Sequence, residues 1–145
     1  MNAPRLATLD DIEEIRKHEH EYSHVTDDLL IQSIQNGWVY VVEDHDKIIG
    51  YARLEFIWLA VPYLALITLN EDYQGKGIGT SIVNKLSQDL MAKGHSKLYT
   101  SSVVMEPRPQ MFHRKCGFIE CGIITGMNEG GIGEVFFVKS LISEQ

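Results

Sequence analysis

The stretch VPYLALITLNEDYQGKGIGTSIVNKLSQDL, from Val61 to Leu90, decides the fold. Its apolar, β-prone run Tyr63 to Leu69 predicts a strand, Asn70 to Tyr73 a turn, and Gly77 to about Lys93 a helix. At the joint stands Gln74-Gly75-Lys76-Gly77-Ile78-Gly79. Three glycines at alternate positions let a backbone approach a ligand without an intervening Cβ, and the helix behind them offers unpaired N–H groups and a partial positive charge. Such a joint is an anion cradle, most naturally for phosphate. A merely flexible turn would not run into a helix with Ile78, Ile82, Val83, Leu86 and Leu90 on one side and Ser81, Lys85, Gln88 and Asp89 on the other.

The spacing chooses among phosphate loops. A P-loop needs G-x-x-x-x-G-K-[ST], and neither Gly-Lys-Ser nor Gly-Lys-Thr occurs. A dinucleotide fingerprint needs a third glycine where Thr80 stands and an early βαβ unit that is missing. The pattern that is filled is Q/R-x-x-G-x-G/A, by Gln74, Gly77 and Gly79. It resembles the coenzyme A pyrophosphate loop of the GNAT superfamily of N-acetyltransferases.

The remaining composition sets bounds. A chain of 145 residues, 44% hydrophobic and 23% charged, has the size of one domain, and a single domain over residues 1–145 is expected. The acid-bearing N-terminus MNAPRLATLDD lacks the apolar core of a secretory signal. Phe56 to Leu69, the longest apolar run, is broken by Pro62 and too short to span a membrane, so no membrane association is expected. Cys116 and Cys121 are too few for a zinc ribbon, and a reduced, cytoplasmic protein follows. A net charge of −7 argues against a nucleic-acid partner and favours a cationic acceptor; an anionic ligand is then held by local backbone dipoles and Lys76.

Arg5 to Thr8 reads as a first strand, with Asp10 as N-cap and Glu13 completing a capping box for helix one. His20-Glu21-Tyr22-Ser23-His24 literally fits H-E-x-x-H, in which two histidines one turn apart bind zinc. That chemistry needs an unbroken helix, yet Ser23 to Asp28 reads as a helix end and Thr26 or Asp27 as a new N-cap, so a chance match is expected and no metal. A small zinc hydrolase on His20, Glu21 and His24 is the rival reading. Gly37 closes helix two, and Trp38 to Glu43 and Lys47 to Phe56 form a hairpin around Asp44-His45-Asp46. In its second strand Tyr51, Arg53 and Glu55 share one polar face, either solvated or part of an acceptor site. The turn Trp58 to Pro62 is unusually apolar and reads as a homodimer interface or a pocket wall.

Beyond the cradle helix, Gly94 caps, Lys97 to Val104 is a strand, and Pro107 opens a helix that reaches Phe112-His113-Arg114-Lys115-Cys116-Gly117-Phe118. Ile119 to Thr125 and Glu134 to Lys139 form a terminal strand pair; the glycines between Asn128 and Gly133 read as a mobile hairpin because no helix follows them. The Phe112 to Phe118 segment is similar to the GNAT helix-to-strand segment L-Y-E-K-L-G-F. Together with the cradle, it extends the resemblance over nearly the whole chain. The implied fold is α/β (α+β): a mixed, mostly antiparallel central sheet flanked by helices, with a splayed strand pair holding the coenzyme.

The resemblance also implies a chemistry, transfer of an acetyl group from acetyl-CoA as cosubstrate to a primary amine of a small molecule or peptide, by direct attack. Backbone groups near Thr68 and Leu69 would pair with the pantetheine arm, and those of Gly75, Lys76, Gly77, Ile78, Gly79 and Thr80 would hold the pyrophosphate. Glu106 stands where an asparagine touching the coenzyme is frequent, and His113 where a tyrosine commonly acts as general acid. A histidine near pKa 6.5 is mostly neutral at pH 7, so His113 is expected to stabilise or protonate the thiolate through its ring N–H. Glu55, beside the cradle strand, is the carboxylate expected to deprotonate the amine. Because His113 departs from the tyrosine, a non-catalytic acetyl-CoA-binding regulatory module is the second rival.

Overall fold

A computed structural model describes residues 3–19 and 24–142. In chain order the elements are β1 (Arg5–Leu6), α1 (Ile12–Arg16), α2 (Asp27–Gln35), β2 (Val39–Asp44), β3 (Lys47–Ile57), β4 (Val61–Leu69), α3 (Ile78–Ala92), β5 (Lys97–Val103), α4 (Pro107–Lys115), β6 (Ile119–Ile124) and β7 (Glu134–Ser140). The strands follow the order β1-β2-β3-β4-β5-β7-β6 in one mostly antiparallel sheet. This is the expected mixed architecture. The chain divides into two compact units, residues 1–55 with 66–86 and residues 56–65 with 87–145.

In the first unit β1, β2 and β3 form an antiparallel set, with Arg5 opposite Val41 and Val41 opposite Tyr51. Ile15 of α1 and Leu30 of α2 are fully buried against Val39, Val41 and Tyr51. Burying each such side chain contributes about 1.5–3 kcal/mol. Thr26 caps α2 by accepting from the Leu29 N–H at 3.3 Å, and Gly37 ends that helix at φ +76°, as the sequence suggests. The capping box falls on the single helical turn Leu9–Asp11 that leads into α1, with Thr8 as N-cap two residues before the expected Asp10. The Thr8 N–H donates to Asp11 Oδ2 at 2.7 Å, because Arg5 already holds Asp11 in place at 2.8 and 3.0 Å. That pairing keeps the Asp11 carboxyl below its usual range.

The polar face expected along β3 is closed off at Tyr51 and Arg53 and solvated only at Glu55. Tyr51 and Arg53 are both buried, because Glu19 accepts from the Tyr51 hydroxyl at 2.7 Å and from Arg53 Nε at 3.3 Å. Burial foremost pushes the Tyr51 phenol above its ordinary range. Gly50 lies where α3 and β4 crowd the sheet: a Cβ there would meet Leu69 Cδ1 at 3.0 Å and Ile82 Cδ1 at 3.3 Å.

In the second unit the first half of β4 runs parallel to β5, with Tyr63 opposite Tyr99 and Leu64 opposite Thr100. The Thr100 hydroxyl donates to the Leu64 carbonyl at 3.0 Å. Strand β7 lies antiparallel between β5 and β6, with Ser101 opposite Phe136 and Val103 opposite Glu134. Phe137 and Leu98 fill the face beneath α4. Both cysteines are free thiols, Cys116 buried and Cys121 exposed. No helix among the described residues is long and apolar enough to cross a membrane.

Two hairpin tips carry unusual backbone. His45 and Asp46 join β2 to β3 at φ 50° and 62°, and Trp58 and Leu59 join β3 to β4 at 53° and 61°. Two consecutive left-handed residues match the twist of a tight hairpin, but Asn-Gly normally fills them. Trp58 is 87% exposed and Leu59 95%. An open cleft of about 280 Å³ begins just behind this tip, lined by Val61, Pro62, Gly94, His95, Lys97 and Tyr99, so the turn leads into a pocket wall.

Candidate functional site

The cradle lies within the first unit. Strand β4 ends at Thr68 and Leu69, and the Asn70 N–H donating to the Ile49 carbonyl at 2.9 Å fixes that end against β3. A single helical turn, Glu71 to Tyr73, follows. The Tyr73 hydroxyl donates to Asp44 at 2.6 Å, and Gln74 Nε2 donates to the Leu69 carbonyl at 3.1 Å. The side chain of Gln74 therefore staples the loop to the strand.

Gly75 and Gly77 have φ +76° and +83°, where a side chain costs roughly 1–2 kcal/mol, and a Cβ built on either would meet no protein atom within 4 Å. The glycines thus serve backbone conformation and leave open space in front of the chain. Helix α3 starts at Ile78, and the Ser81 N–H to the Gly77 carbonyl, at 3.0 Å, is its first-turn bond. The amides ahead of Ser81 have no acceptor within the helix. Ile78 is buried and anchors that end, while Gly79 and Thr80 are half-buried. Lys76 is exposed, with its ammonium 5.7 Å from the centre of the Tyr73 ring. Backbone donors, a helix N-terminus, a nearby lysine and clear space make a donor set suited to a pyrophosphate.

Glu55 is exposed on β3 and accepts from Arg53 Nη1 at 2.8 Å through Oε2. Its charge is tied to a buried guanidinium, which the sequence pattern left open.

His113 and Glu106 lie in the second unit. Glu106 is the exposed N-cap of α4, its N–H donating to the Val103 carbonyl at 3.0 Å, with Pro107 opening the helix as expected. His113 is only 4% exposed, so it is not a solvent-facing helical residue. It sits among Phe112, Phe118 and Phe137, with ring centres 5.4 to 5.9 Å away. Burial drives its pKa down to about 4, against a backbone hydrogen bond at Ser101 and the charge of Glu134, which favour the protonated ring. A carbonyl favours the charged ring by accepting its N–H, which leaves Nδ1, buried and without a partner, as the acceptor nitrogen.

On the half-buried face of the second unit a polar chain appears that sequence reading missed. Tyr63 Oη and Ser101 Oγ are 2.5 Å apart, Ser101 Oγ donates to Glu134 Oε2 at 2.6 Å, and Asn128 Nδ2 donates to Glu134 Oε1 at 3.0 Å. The signal was available only as alternation. Tyr63, Ser101 and Glu134 each fall on the less buried register of their strands, but nothing local says that β7 inserts beside β5.

His20 and Glu21 of the H-E-x-x-H match lie outside the described residues, and His24 is an exposed residue ahead of α2. Among the described residues no group of three or more His, Cys, Asp or Glu side chains is arranged to hold a metal.

The comparisons with known proteins agree with this geometry. The chain superposes on an acetyltransferase of the GNAT family from Bacillus cereus ATCC 10987 with a TM-score of 0.79 at 20% identity, covering 99% of each chain. It also superposes on the ribosomal-protein-S18-alanine N-acetyltransferase of Escherichia coli with a TM-score of 0.81 at 14% identity, covering 100% of this chain and 97% of that one. A third match is a putative streptothricin acetyltransferase from Bacillus anthracis str. Ames in complex with acetyl coenzyme A, with a TM-score of 0.65 at 20% identity. It covers 70% of this chain and 61% of that one. At these identities the superpositions establish the fold. No curated protein matches the chain. The family model described as "Acetyltransferase (GNAT) family" matches residues 6–118, most of the sequence. The chain therefore belongs to the GNAT acetyltransferase family.

Proposed function

We propose that the protein transfers the acetyl group of acetyl-CoA to a primary amine by direct attack, with residues 1–145 working as one acetyltransferase domain. The observation that carries this reading is the pair of left-handed glycines, Gly75 and Gly77, with empty space before them and the α3 amides behind. The backbone N–H groups from Gly75 to Thr80 and the ammonium of Lys76 hold the pyrophosphate, while Gln74 borders it and fixes the loop to β4 at Leu69. The main chain at Thr68 and Leu69 pairs with the pantetheine arm, one lone pair of the Leu69 carbonyl being already taken by Gln74. The Leu69 N–H polarises the thioester carbonyl, and Glu106, the N-cap of α4, takes the place of the asparagine that touches the coenzyme in the family. Acetyl-CoA supplies an activated thioester; the chain supplies position and backbone dipoles.

His113 acts as a neutral ring. With a pKa of about 4 it carries no positive charge at pH 7 and delivers no proton as an imidazolium. The leaving thiolate regains the proton that the attacking amine releases, relayed through water, and Nδ1, the ring nitrogen without a partner, then accepts a hydrogen bond from the thiol. Glu55, pinned by Arg53 through one oxygen, keeps Oε1 for the water that relays the amine's proton.

The test is release of free thiol from acetyl-CoA across a panel of primary amines, for wild type and His113→Phe. Turnover at saturating substrate should fall about tenfold to a hundredfold with the KM for acetyl-CoA unchanged, since the ring acts on the chemical step. Unchanged turnover removes His113 from the mechanism. Coenzyme binding with no thiol release from any amine would favour the non-catalytic module.

A further inference from the structure

The most informative group outside the cradle is Glu134. It heads β7 on the same side of the sheet as Tyr63 and Ser101, because Val103 lies opposite Glu134, Ser101 opposite Phe136, and Tyr63 opposite Tyr99. The hydroxyl of Ser101 has one proton, and it goes to Glu134 Oε2 at 2.6 Å. The 2.5 Å contact between Tyr63 and Ser101 must then run from Tyr63 as donor, and the chain of hydrogen bonds points one way, toward the carboxylate. Asn128 completes the hold from the other side, donating to Oε1 at 3.0 Å and sharing its amide with the Gly133 carbonyl at 3.4 Å.

The glycine-rich segment 128–133 forms a hydrogen-bonded turn between β6 and β7. The Asn128 N–H donates to the Ile132 carbonyl at 3.0 Å, and the Gly131 N–H to the Asn128 carbonyl at 3.1 Å. A Cβ on Gly133 would meet Ile123 Cγ2 at 3.3 Å, so the turn closes tightly on its own hairpin.

A carboxylate offers about four acceptor positions, and two neutral donors fill only two of them. Among the described residues no lysine or arginine makes an ion pair with Glu134. A half-buried carboxylate that is oriented on both oxygens and lacks an ion-pair partner keeps acceptor positions that a cation fills with charge-assisted hydrogen bonds, stronger than neutral ones. Beside it, the Tyr63 ring stacks on Phe136 with centres 6.1 Å apart, a surface that accepts an alkyl stem and attracts a cation.

We propose that Glu134, oriented by Ser101 and Asn128 and walled by Tyr63 and Phe136, is the binding subsite for the ammonium of the acceptor, which is a primary alkylamine. This rests on the acetyl-transfer reading for its biological meaning, but the subsite itself is defined by cation binding. An ammonium, with three N–H donors, fills the two remaining acceptor positions; an alcohol lacks the charge and a quaternary ammonium lacks the donors.

The experiment is a titration of the full-length protein with n-butylammonium chloride, followed through the side-chain amide resonances of Asn128. n-Butanol and tetramethylammonium chloride at matched ionic strength are run beside it, and the variants are Glu134→Gln and Ser101→Ala. The expected result is a saturable shift with butylammonium only, weakened at least about tenfold in Glu134→Gln and less in Ser101→Ala, which keeps the carboxylate but loses one orienting donor. A shift equal for butanol or tetramethylammonium, no saturation in the wild type, or unaltered binding in Glu134→Gln would overturn the proposal. Should Glu134→Gln fail to fold, Ser101→Ala decides: binding as tight as wild type counts against the subsite. Acetyl-CoA is titrated separately into the same samples. Butylammonium binding without coenzyme binding would defeat the acetyl-transfer reading and leave the cation subsite standing.

Discussion

At the scale of single residues, His113 and Arg53 show how the molecule uses buried polar groups. In the unfolded chain a histidine titrates near 6.5, whereas His113 in the fold titrates near 4. Between those values the unfolded state holds the extra proton, so acidification favours unfolding. The contribution is fully present above about pH 6.5 and lost as the pH falls toward 4, a change of about 3 kcal/mol. His113→Phe should flatten the pH dependence of the denaturation midpoint across that window. A slope as steep as that of the wild type would show that another group is responsible. Arg53 makes the opposite case, a buried cation paired with buried Glu19. Glu19→Ala leaves that guanidinium with only the exposed Glu55 as partner and should lower stability by about 3–5 kcal/mol in urea unfolding. A loss below about 1 kcal/mol would mean that Glu55 alone satisfies Arg53. The sequence displayed both residues but not their surroundings. An alternating strand looks solvated on its polar face until Glu19, which lies on a separate segment, closes over it.

At the scale of elements, the cradle was legible because its information is local. The positive φ values of Gly75 and Gly77, the apolar face of α3 and the break at Asn70 all fall within thirty consecutive residues. The hairpin tips were harder to read. The Trp58-Leu59 tip obeys the twist rule for two-residue turns but violates their residue preference, with two bulky side chains in the left-handed region and open to solvent. Replacing the pair by Asn-Gly should raise stability by about 1–2 kcal/mol, because the turn keeps its geometry and sheds its strain. A lower thermal midpoint in that variant would mean that the exposed pair makes contacts which stabilise the folded protein. The Gly50 position is a simpler element-level test: Gly50→Val should cost about 1–3 kcal/mol by pushing against Leu69 and Ile82, and thermal denaturation measures it.

At the scale of the whole molecule, the order β1-β2-β3-β4-β5-β7-β6 determines what meets what. Consecutive strands pair as far as β5. Then β7 inserts between β5 and β6, and that insertion delivers Glu134 to Ser101 and Tyr63. A sequence reading that finds each strand still does not contain this order, so it anticipated the glycine loop and helix after β4 and missed the surroundings of Glu134. The net charge of −7 runs the same way: it opposes an anionic coenzyme globally and leaves the binding to a local array of backbone donors. The claim on which everything else depends is that this array binds acetyl-CoA. Calorimetric titration of wild type and Gly77→Val tests it most directly. We expect saturation near one equivalent for the wild type and affinity reduced at least about tenfold in Gly77→Val, whose side chain both strains the left-handed turn and enters the space kept for the ligand. A folded wild-type sample that shows no saturable heat with millimolar acetyl-CoA would contradict the account.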